Sequence, residues 1–190
     1  MRVLGISGSL RRDSLNSALL RAAAERLPAG VELVEYEGLR EIPPYDADLE
    51  LITTPAAVQD LRAAIGEADA VLVATPEYNH SIPGVLKNAL DWASRPAGQS
   101  ALNGKPAAVV GASTGMFGAV WAQAETRKVL GALGGRVLES ELPVARADRQ
   151  LADGRLELSP QQSEQLEELL AELVSAVEEV QEFARERAAA

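Results

Sequence analysis

Apolar and amphipathic stretches alternate along the chain, and this alternation predicts its secondary structure. Short and almost wholly apolar runs predict buried strands, whereas longer segments with apolar positions every three to four residues predict helices. The run DAVLVATP at 69–76 has no polar alternation, which is typical of a central parallel strand that is covered on both faces. The predicted strands are 2–7, 31–36, 69–76, 106–113 and a fifth that begins at 136–139.

Helices are predicted between these strands, and two of them begin with recognisable capping residues. Thr54 before Pro55 predicts a helix start with a capping residue followed by a first-turn proline. Ser159 and Gln162 form the capping-box pattern that opens the last helix. The predicted helices are 15–27, 55–67, 83–93, 116–133 and an acidic amphipathic helix at about 160–187.

The order of these elements predicts the fold class. Residues 37–53 and 140–158 are expected to be loops, the second with a small hairpin at LADGRLEL. Five strands separated by helices imply an α/β fold, in which helices cover both faces of a parallel sheet. Right-handed crossovers then give a doubly wound sheet. We expect residues 1–190 to form a single domain, because no repeat or linker interrupts the pattern.

Composition and charge narrow the classes of function. The chain has no cysteine and a single histidine, which argues against a metal site built from these residues and against a thiol nucleophile. Its net charge is −10, and residues 160–190 hold eight Glu and two Arg, so we expect no nucleic-acid partner. No apolar run reaches the roughly 18 residues of a membrane span, and no leader segment is recognisable. We therefore expect a cytoplasmic protein with no membrane partner.

The stretch GISGSLRRDSLNS at 5–17 joins the first strand to the first helix. In a doubly wound sheet the ligand lies at the carboxyl ends of the strands, and the helix that follows offers free backbone N–H groups and a dipole that favour an anion. Neither the Walker pattern nor the dinucleotide fingerprint is present, so the hydroxyls and arginines favour a terminal monophosphate, as in a mononucleotide. The alternative is a polar turn in which Ser14 or Asn16 only caps the helix. The candidate groups in this loop are Ser7, Ser9, Arg11, Arg12, Ser14, Asn16 and Ser17.

Two further strand ends carry residues suited to a ligand. TPEYNHSIPGVLKNALDW at 75–92 follows the third strand and presents Tyr78, which can pack on a flat ring and still hydrogen-bond at its rim. GASTGMFGAVW at 111–121 follows the fourth strand, and its small residues allow a ligand to approach the backbone closely. Taken alone, the first segment is equally well explained as a turn that leads into an amphipathic helix. Three such loops at one edge of the sheet predict a shared ligand site.

The motifs GSLRRDSLN and PEYNHSIPGVLKNALDW resemble those of the NADPH-dependent FMN reductases, which include quinone, azo-dye and chromate reductases. The resemblance extends over residues 1–140 and implies a flavodoxin-like, five-stranded doubly wound sheet with bound FMN. His80 is given no chemical role. The resemblance implies that the FMN phosphate is held by Ser9, Arg11, Ser14, Asn16 and Ser17, and that the isoalloxazine ring is bordered by Pro76, Glu77, Tyr78, Asn79, Ser113, Thr114 and Gly115.

The resemblance also implies an enzyme whose chemistry takes place on the flavin. Two electrons would pass from NADPH or NADH through FMN to a quinone or similar small acceptor, in ping-pong order and without a catalytic side chain. A Ser-His-Asp hydrolase is disfavoured, because the chain has no G-x-S-x-G motif. The alternatives are a flavodoxin-like electron carrier and a regulatory FMN-binding protein. Carriers commonly enclose the ring between aromatic side chains. Trp92 and Trp121 are expected to lie on helices and to pack in the core or at an interface, so only Tyr78 and Phe117 lie in the candidate ring loops, which favours the enzyme.

The last helix predicts assembly. An apolar stripe runs along it, and most of that stripe is expected to pack on the chain's own sheet. A helix of about 28 residues spans about 40 Å, so we expect its far end, including Phe183, to meet another subunit. The family resemblance likewise implies a homodimer or homotetramer.

Arg12 and Arg95 are candidate contacts for the extra phosphate of NADPH.

Overall fold

A parallel sheet forms the centre of the computed structural model, which describes residues 1–189. Its strands are β1 (Arg2–Ser7), β2 (Glu32–Glu35), β3 (Ala70–Ala74), β4 (Pro106–Ala112) and β5 (Arg136–Val144). Their order across the sheet is β2-β1-β3-β4-β5, and every neighbouring pair is parallel. This is the flavodoxin-like order, with the topological switch point between β1 and β3. The predicted doubly wound α/β sheet is confirmed.

Six helices and a small hairpin complete the described residues. The helices are α1 (Leu15–Ala24), α2 (Ala47–Ile52), α3 (Ala56–Glu67), α4 (Gly84–Ala93), α5 (Val120–Ala132) and α6 (Pro160–Ala189). Two short 3-10 helices occupy Gly38–Glu41 and Ala147–Gln150. The hairpin pairs β6 (Leu151–Ala152) with β7 (Arg155–Leu156), as the sequence predicted. None of the helices within residues 1–189 combines the length and the apolar character needed to cross a bilayer.

β3 shows why the central strands lack polar alternation. Leu72 packs into a hydrophobic cluster with α1 and α6 on one face of the sheet, whereas Val71 and Val73 pack with α3 and α4 on the other face. All five residues of this strand are fully buried. A sheet that is covered on both faces requires apolar residues at successive positions, and only the loops at the strand ends remain free to carry polar chemistry.

Several boundaries differ from the sequence-based predictions. The predicted loop at 37–53 contains the first 3-10 helix and α2, so the prediction is wrong there. Thr54 is not the cap of α3: the residue that precedes the helix is Pro55, and no side chain caps it. α1 ends at Ala24 rather than at Leu27.

α5 begins at Val120, four residues later than predicted, because the chain before it is held against β5. Gly118 has a φ of 58°, and a Cβ atom there would lie 2.5 Å from the carbonyl carbon of Pro143. Only glycine combines this backbone conformation with so close an approach. Residues 113–119 therefore stay outside the helix as a loop.

α6 begins as predicted and projects beyond the core at its other end. The backbone N–H of Ser159 donates to Gln162 Oε1 (2.9 Å), and the backbone N–H of Gln162 donates to Ser159 Oγ (3.3 Å), which is a complete capping box. Buried residues of the helix extend from Leu166 to Val177. Phe183, nearer the far end, is 58% exposed.

Candidate functional site

The carboxyl ends of β1, β3 and β4 enclose a cavity of about 100 Å³. Eight of the twelve predicted site residues line it. Ser14, Ser17, Asn79 and Gly115 belong to the same three loops but do not form its wall. Leu15 and Ala112 contribute to the wall and were not predicted, because an apolar residue at a strand or helix end gives no chemical signal. The lining consists of Ser9, Arg11, Leu15, Asn16, Pro76, Glu77, Tyr78, Ala112, Ser113 and Thr114.

Two polar side chains of the first loop are bonded within the protein. Ser14 caps α1, and its Oγ accepts a hydrogen bond from the backbone N–H of Ser17 at 3.1 Å. The Asn16 amide spans the site: Nδ2 donates to the Ala112 carbonyl (3.0 Å), and Oδ1 accepts from the Ala112 N–H (2.9 Å). Both side chains are buried. They fix the start of α1 against the end of β4.

Other groups of the same loop remain available to a ligand. The backbone N–H groups of Leu15 and Asn16 lie in the first turn of α1, where the helix itself offers no acceptor. The Arg11 guanidinium is exposed and makes no hydrogen bond or ion pair within residues 1–189. Arg40 Nη2 donates to the Leu10 carbonyl at 2.6 Å and so pins the loop from outside. An uncommitted cation beside a helix amino terminus suits an anion.

The second loop turns sharply and presents Tyr78. Tyr78 and Ser81 exchange both backbone hydrogen bonds at 3.1 Å, and the two residues between them, Asn79 and His80, have φ values of 53° and 62°. This is the geometry of a two-residue type I′ hairpin turn. Tyr78 stays 51% exposed at the edge of the cavity. The Glu77 carboxylate is directed towards the amino terminus of α5.

The third loop is tied to the end of β5. The Ser113 N–H donates to the Val144 carbonyl (3.0 Å), and the Ser113 carbonyl accepts from the Ala147 N–H (2.9 Å). Ser113 Oγ accepts from the backbone N–H of Gly115 at 3.0 Å. These bonds leave Thr114 exposed at the cavity.

Gln123 supports the third loop from beneath and was missed by the sequence analysis. It is fully buried in α5, where Nε2 donates to the Gly118 carbonyl (3.0 Å) and Oε1 accepts from the Leu142 N–H (3.2 Å). A glutamine in a helix follows no motif, so only the folded chain shows this role.

Arg95, a candidate for nicotinamide phosphate recognition, lies in a different cavity. Its Nε donates to Glu50 Oε2 (3.0 Å) and its Nη2 to the Tyr45 hydroxyl (2.6 Å). The hydrogen bond from Tyr45, and then that from Arg95, lower the pKa of the Glu50 carboxyl. This cavity, of about 290 Å³, shares no lining residue with the site between the three loops. Arg12 does not line that site either.

A cavity of about 200 Å³ adjoins the first loop at Ser9 and Ser17, and two larger grooves lie away from the strand ends. One of about 320 Å³ lies between α1 and the β6-β7 hairpin, and one of about 450 Å³ lies between α5 and β5. Neither shares a residue with the three loops, and both carry charges of both signs. The cavity of about 100 Å³ between the three loops is the better candidate for the ligand site, because it lies at the topological switch point where such sheets bind ligands.

A family model of the NADPH-dependent FMN reductases matches residues 1–149. The chain belongs to this family. The three loops lie within the matched region, whereas α6 lies beyond it.

Named proteins agree with the family assignment. An NAD(P)H-dependent FMN reductase of Pseudomonas aeruginosa is 51% identical over 130 residues, which cover 68% of this chain and 69% of the relative. A 2-hydroxy-1,4-benzoquinone reductase of a Burkholderia species is 43% identical over 129 residues, with 68% and 69% covered. The structure of FerB, a flavoenzyme NAD(P)H:(acceptor) oxidoreductase from Paracoccus denitrificans, is similar with a TM-score of 0.81 and 36% identity, over 94% of this chain and 97% of FerB.

These comparisons confirm the family, the flavodoxin-like fold and the kind of activity that the motifs predicted. The protein is an FMN-dependent enzyme with NAD(P)H as the electron donor.

Proposed function

We propose that the protein is an NAD(P)H:quinone oxidoreductase in which donor and acceptor bind in turn at one open face of FMN. The cavity between the three loops carries this proposal: it brings Arg11, whose guanidinium has no partner among residues 1–189, and the amino end of α1 together with Tyr78 and Thr114. Relatives named quinone reductases support the choice of acceptor.

The residues at the first loop fit the phosphate of FMN. The amides of Leu15 and Asn16 and the Arg11 guanidinium would hold the phosphate oxygens, because each is a donor without an acceptor in the first turn or among residues 1–189. Ser9 and Ser17, both partly exposed, would add hydroxyl donors. Ser14 and the Asn16 side chain would act by holding the turn in place.

The other two loops would border the isoalloxazine ring. Pro76, Glu77, Tyr78 and Asn79 would line one side, and the backbone of the tight turn offers N–H and carbonyl groups to a ring edge. The second side would be formed by Ser113, Thr114 and Gly115.

FMN, when bound, supplies the capacity to accept a hydride and to pass on two electrons. The side chains of the chain bind and orient the reactants. The single histidine, His80, has a side chain that is 77% exposed, and no site residue is required to form a covalent bond with a substrate.

An exposed site edge supports an enzyme rather than a carrier. Tyr78 and Phe117 are 51% and 57% exposed, and Phe117 packs edge to face on Trp121 rather than across the cavity. Such an arrangement leaves this edge of the site uncovered by aromatic side chains, whereas a carrier would be expected to enclose the ring.

The test is purification, an absorbance spectrum, and oxidation of NADPH and of NADH with a series of quinones. We expect a bound flavin, turnover with at least one donor, and parallel lines in double-reciprocal plots at several quinone concentrations. Intersecting lines would contradict ping-pong order. A flavin that stays oxidised under anaerobic excess of both donors would contradict the enzyme and favour the carrier or regulatory protein.

We also propose a cytoplasmic homodimer or homotetramer built from single-domain chains. The exposed Phe183 at the far end of α6 supports this, together with exposed Met116 and Trp121 beside the site. Light scattering at micromolar concentration tests it, and a strict monomer would contradict it.

A further inference from the structure

α5 begins without a cap of its own. The residue before its first turn is Ala119, which has a φ of 62° and a side chain that cannot accept a hydrogen bond. The first amides of a helix have no acceptor within the helix and need one from elsewhere. Here the acceptor is the carboxylate of Glu77, whose Oε2 receives the backbone N–H groups of Trp121 (3.1 Å) and Ala122 (3.2 Å).

Glu77 belongs to the wall of the candidate site, so the cap joins two of its loops. The residue lies between Pro76 and Tyr78, and its side chain is only 13% exposed. Its other oxygen, Oε1, lies 3.6 Å from Nδ1 of His80. Both oxygens therefore face groups of the protein, and an anionic carboxylate at a helix amino terminus is a favourable pairing.

A second carboxylate makes the same connection in the opposite direction. Glu125, one turn further along α5, accepts a hydrogen bond from Ser81 Oγ (2.6 Å) and one from the Ile82 N–H (3.4 Å). The Trp121 ring packs edge to face on His80, with centroids 4.9 Å apart. The turn that carries Tyr78 is thus fastened to α5 at two points, with an aromatic contact between them.

We propose that Glu77 is a positioning residue that sets the distance between the Tyr78 turn and α5 before FMN binds. It acts through the amides of α5 and not by hydrogen-bonding to the flavin. The inference deepens the proposed function, because the wall that Glu77 holds is the one assigned to the isoalloxazine ring. Removing the carboxylate loosens that wall, whereas an isosteric amide keeps an oxygen that can accept the same two N–H groups.

The first measurement needs no FMN. The chain has two tryptophans, of which Trp92 is 1% exposed and Trp121 is 42% exposed, so acrylamide quenching of the apoprotein reports on Trp121. In Glu77→Ala we expect a changed quenching constant, and in Glu77→Gln the wild-type value. The matched control is Ser159→Ala, which removes the cap of α6 and touches none of the three loops.

The second measurement is FMN affinity by fluorescence titration, well below the melting temperature of each variant. We expect Glu77→Ala to bind FMN at least roughly tenfold more weakly, as when one charge-assisted bond is lost. Glu77→Gln should fall within about threefold of wild type, because the neutral amide keeps the acceptor, and Ser159→Ala should match wild type.

Three results would overturn the inference. They are unchanged quenching and affinity in Glu77→Ala, equal losses in Glu77→Ala and Ser159→Ala, and a Glu77→Gln variant as impaired as Glu77→Ala. If Glu77→Ala does not fold, the test uses two other variants, Glu77→Gln and the double change of Glu77→Gln with Glu125→Gln. If neither variant kept the wild-type quenching constant, that result would count against the proposed role of Glu77. If wild type itself fails to bind FMN, the proposed function fails, while the quenching comparison still tests the cap.

Discussion

Arg11 and Arg95 differ in whether the guanidinium group is already hydrogen-bonded within the protein. Arg95 donates to Tyr45 and to Glu50 and lies over the Tyr45 ring at 5.3 Å. Arg11 makes no such bond within the described chain and lines the cavity at the amino end of α1. From the sequence alone either one is a candidate for a phosphate.

The difference lies in what the fold has already paired. The Arg95 guanidinium is held by a carboxylate and a phenol through Nε and Nη2, so binding a phosphate through these two nitrogens would first require breaking those bonds. A guanidinium with free donors beside unpaired helix amides gains on binding. We infer that the cluster of Tyr45, Glu50 and Arg95 serves structure and that the cavity at Arg11 serves binding.

The largest effect on the free energy of unfolding is expected from a change in the third loop, which follows β4. In Gly118→Ala the new Cβ would lie 2.5 Å from the Pro143 carbonyl carbon, at a φ of 58°. Strain and overpacking together should lower the free energy of unfolding by roughly 2–4 kcal/mol. FMN affinity should fall as well, because the third loop must shift. Chemical denaturation and flavin titration measure the two effects.

Gly66→Ala is the matched control for that change. Gly66 lies in α3, and an added Cβ would meet nothing within 4 Å. We expect this variant to be as stable as wild type or slightly more stable. If Gly118→Ala were equally harmless, the third loop would not be held by the close contact that the structure shows.

The second-largest effect is a change in FMN affinity, and it is expected for Arg11 but not for Arg95. Arg11→Ala should weaken FMN binding by about 1.5–3 kcal/mol, which is roughly ten- to over a hundredfold. Arg95→Ala should leave FMN affinity unchanged, since its cavity shares no residue with the site. Arg12→Ala should have a smaller effect than Arg11→Ala, because Arg12 does not line the cavity. Fluorescence titration of the three variants decides, and equal affinities for wild type and Arg11→Ala would contradict the assignment.

The sequence predicted the class of sheet and the three loops at its strand ends, because buried strands and motif residues can be recognised from short stretches of sequence. It could not show which polar groups are already bonded. Asn16 was predicted to contact the phosphate; its side chain is hydrogen-bonded to the backbone of Ala112, 96 residues further along the chain, so a contact through its backbone amide stays a prediction. Thr54 carried a good capping pattern, but the helix begins after Pro55 with no side-chain cap. Glu77 matched the family motif, and only the folded chain shows its bonds to α5.

The smallest effect concerns the pH dependence of the structural cluster. The hydrogen bond from Tyr45, and then that from Arg95, hold the pKa of Glu50 below its ordinary value. A carboxyl with a lowered pKa in the folded state stabilises the fold above its unfolded pKa of about 4.3. That contribution is lost as the pH falls through the folded pKa. We therefore expect the melting temperature of wild type to exceed that of Glu50→Gln near neutral pH, and the gap to narrow below about pH 4.

Melting curves of the two apoproteins across this range test the expectation, and Tyr45→Phe serves as the second variant. It removes the first of the two hydrogen bonds to Glu50, so its pH dependence should lie between those of wild type and Glu50→Gln. FMN affinity, measured in parallel near neutral pH, should be the same in all three proteins, because none of the changed residues lines the site. A gap that stayed constant down to about pH 3 would show that ionised Glu50 does not stabilise the fold. A loss of FMN affinity in either variant would show that the cluster of Tyr45, Glu50 and Arg95 is coupled to the site between the three loops, although the two share no lining residue.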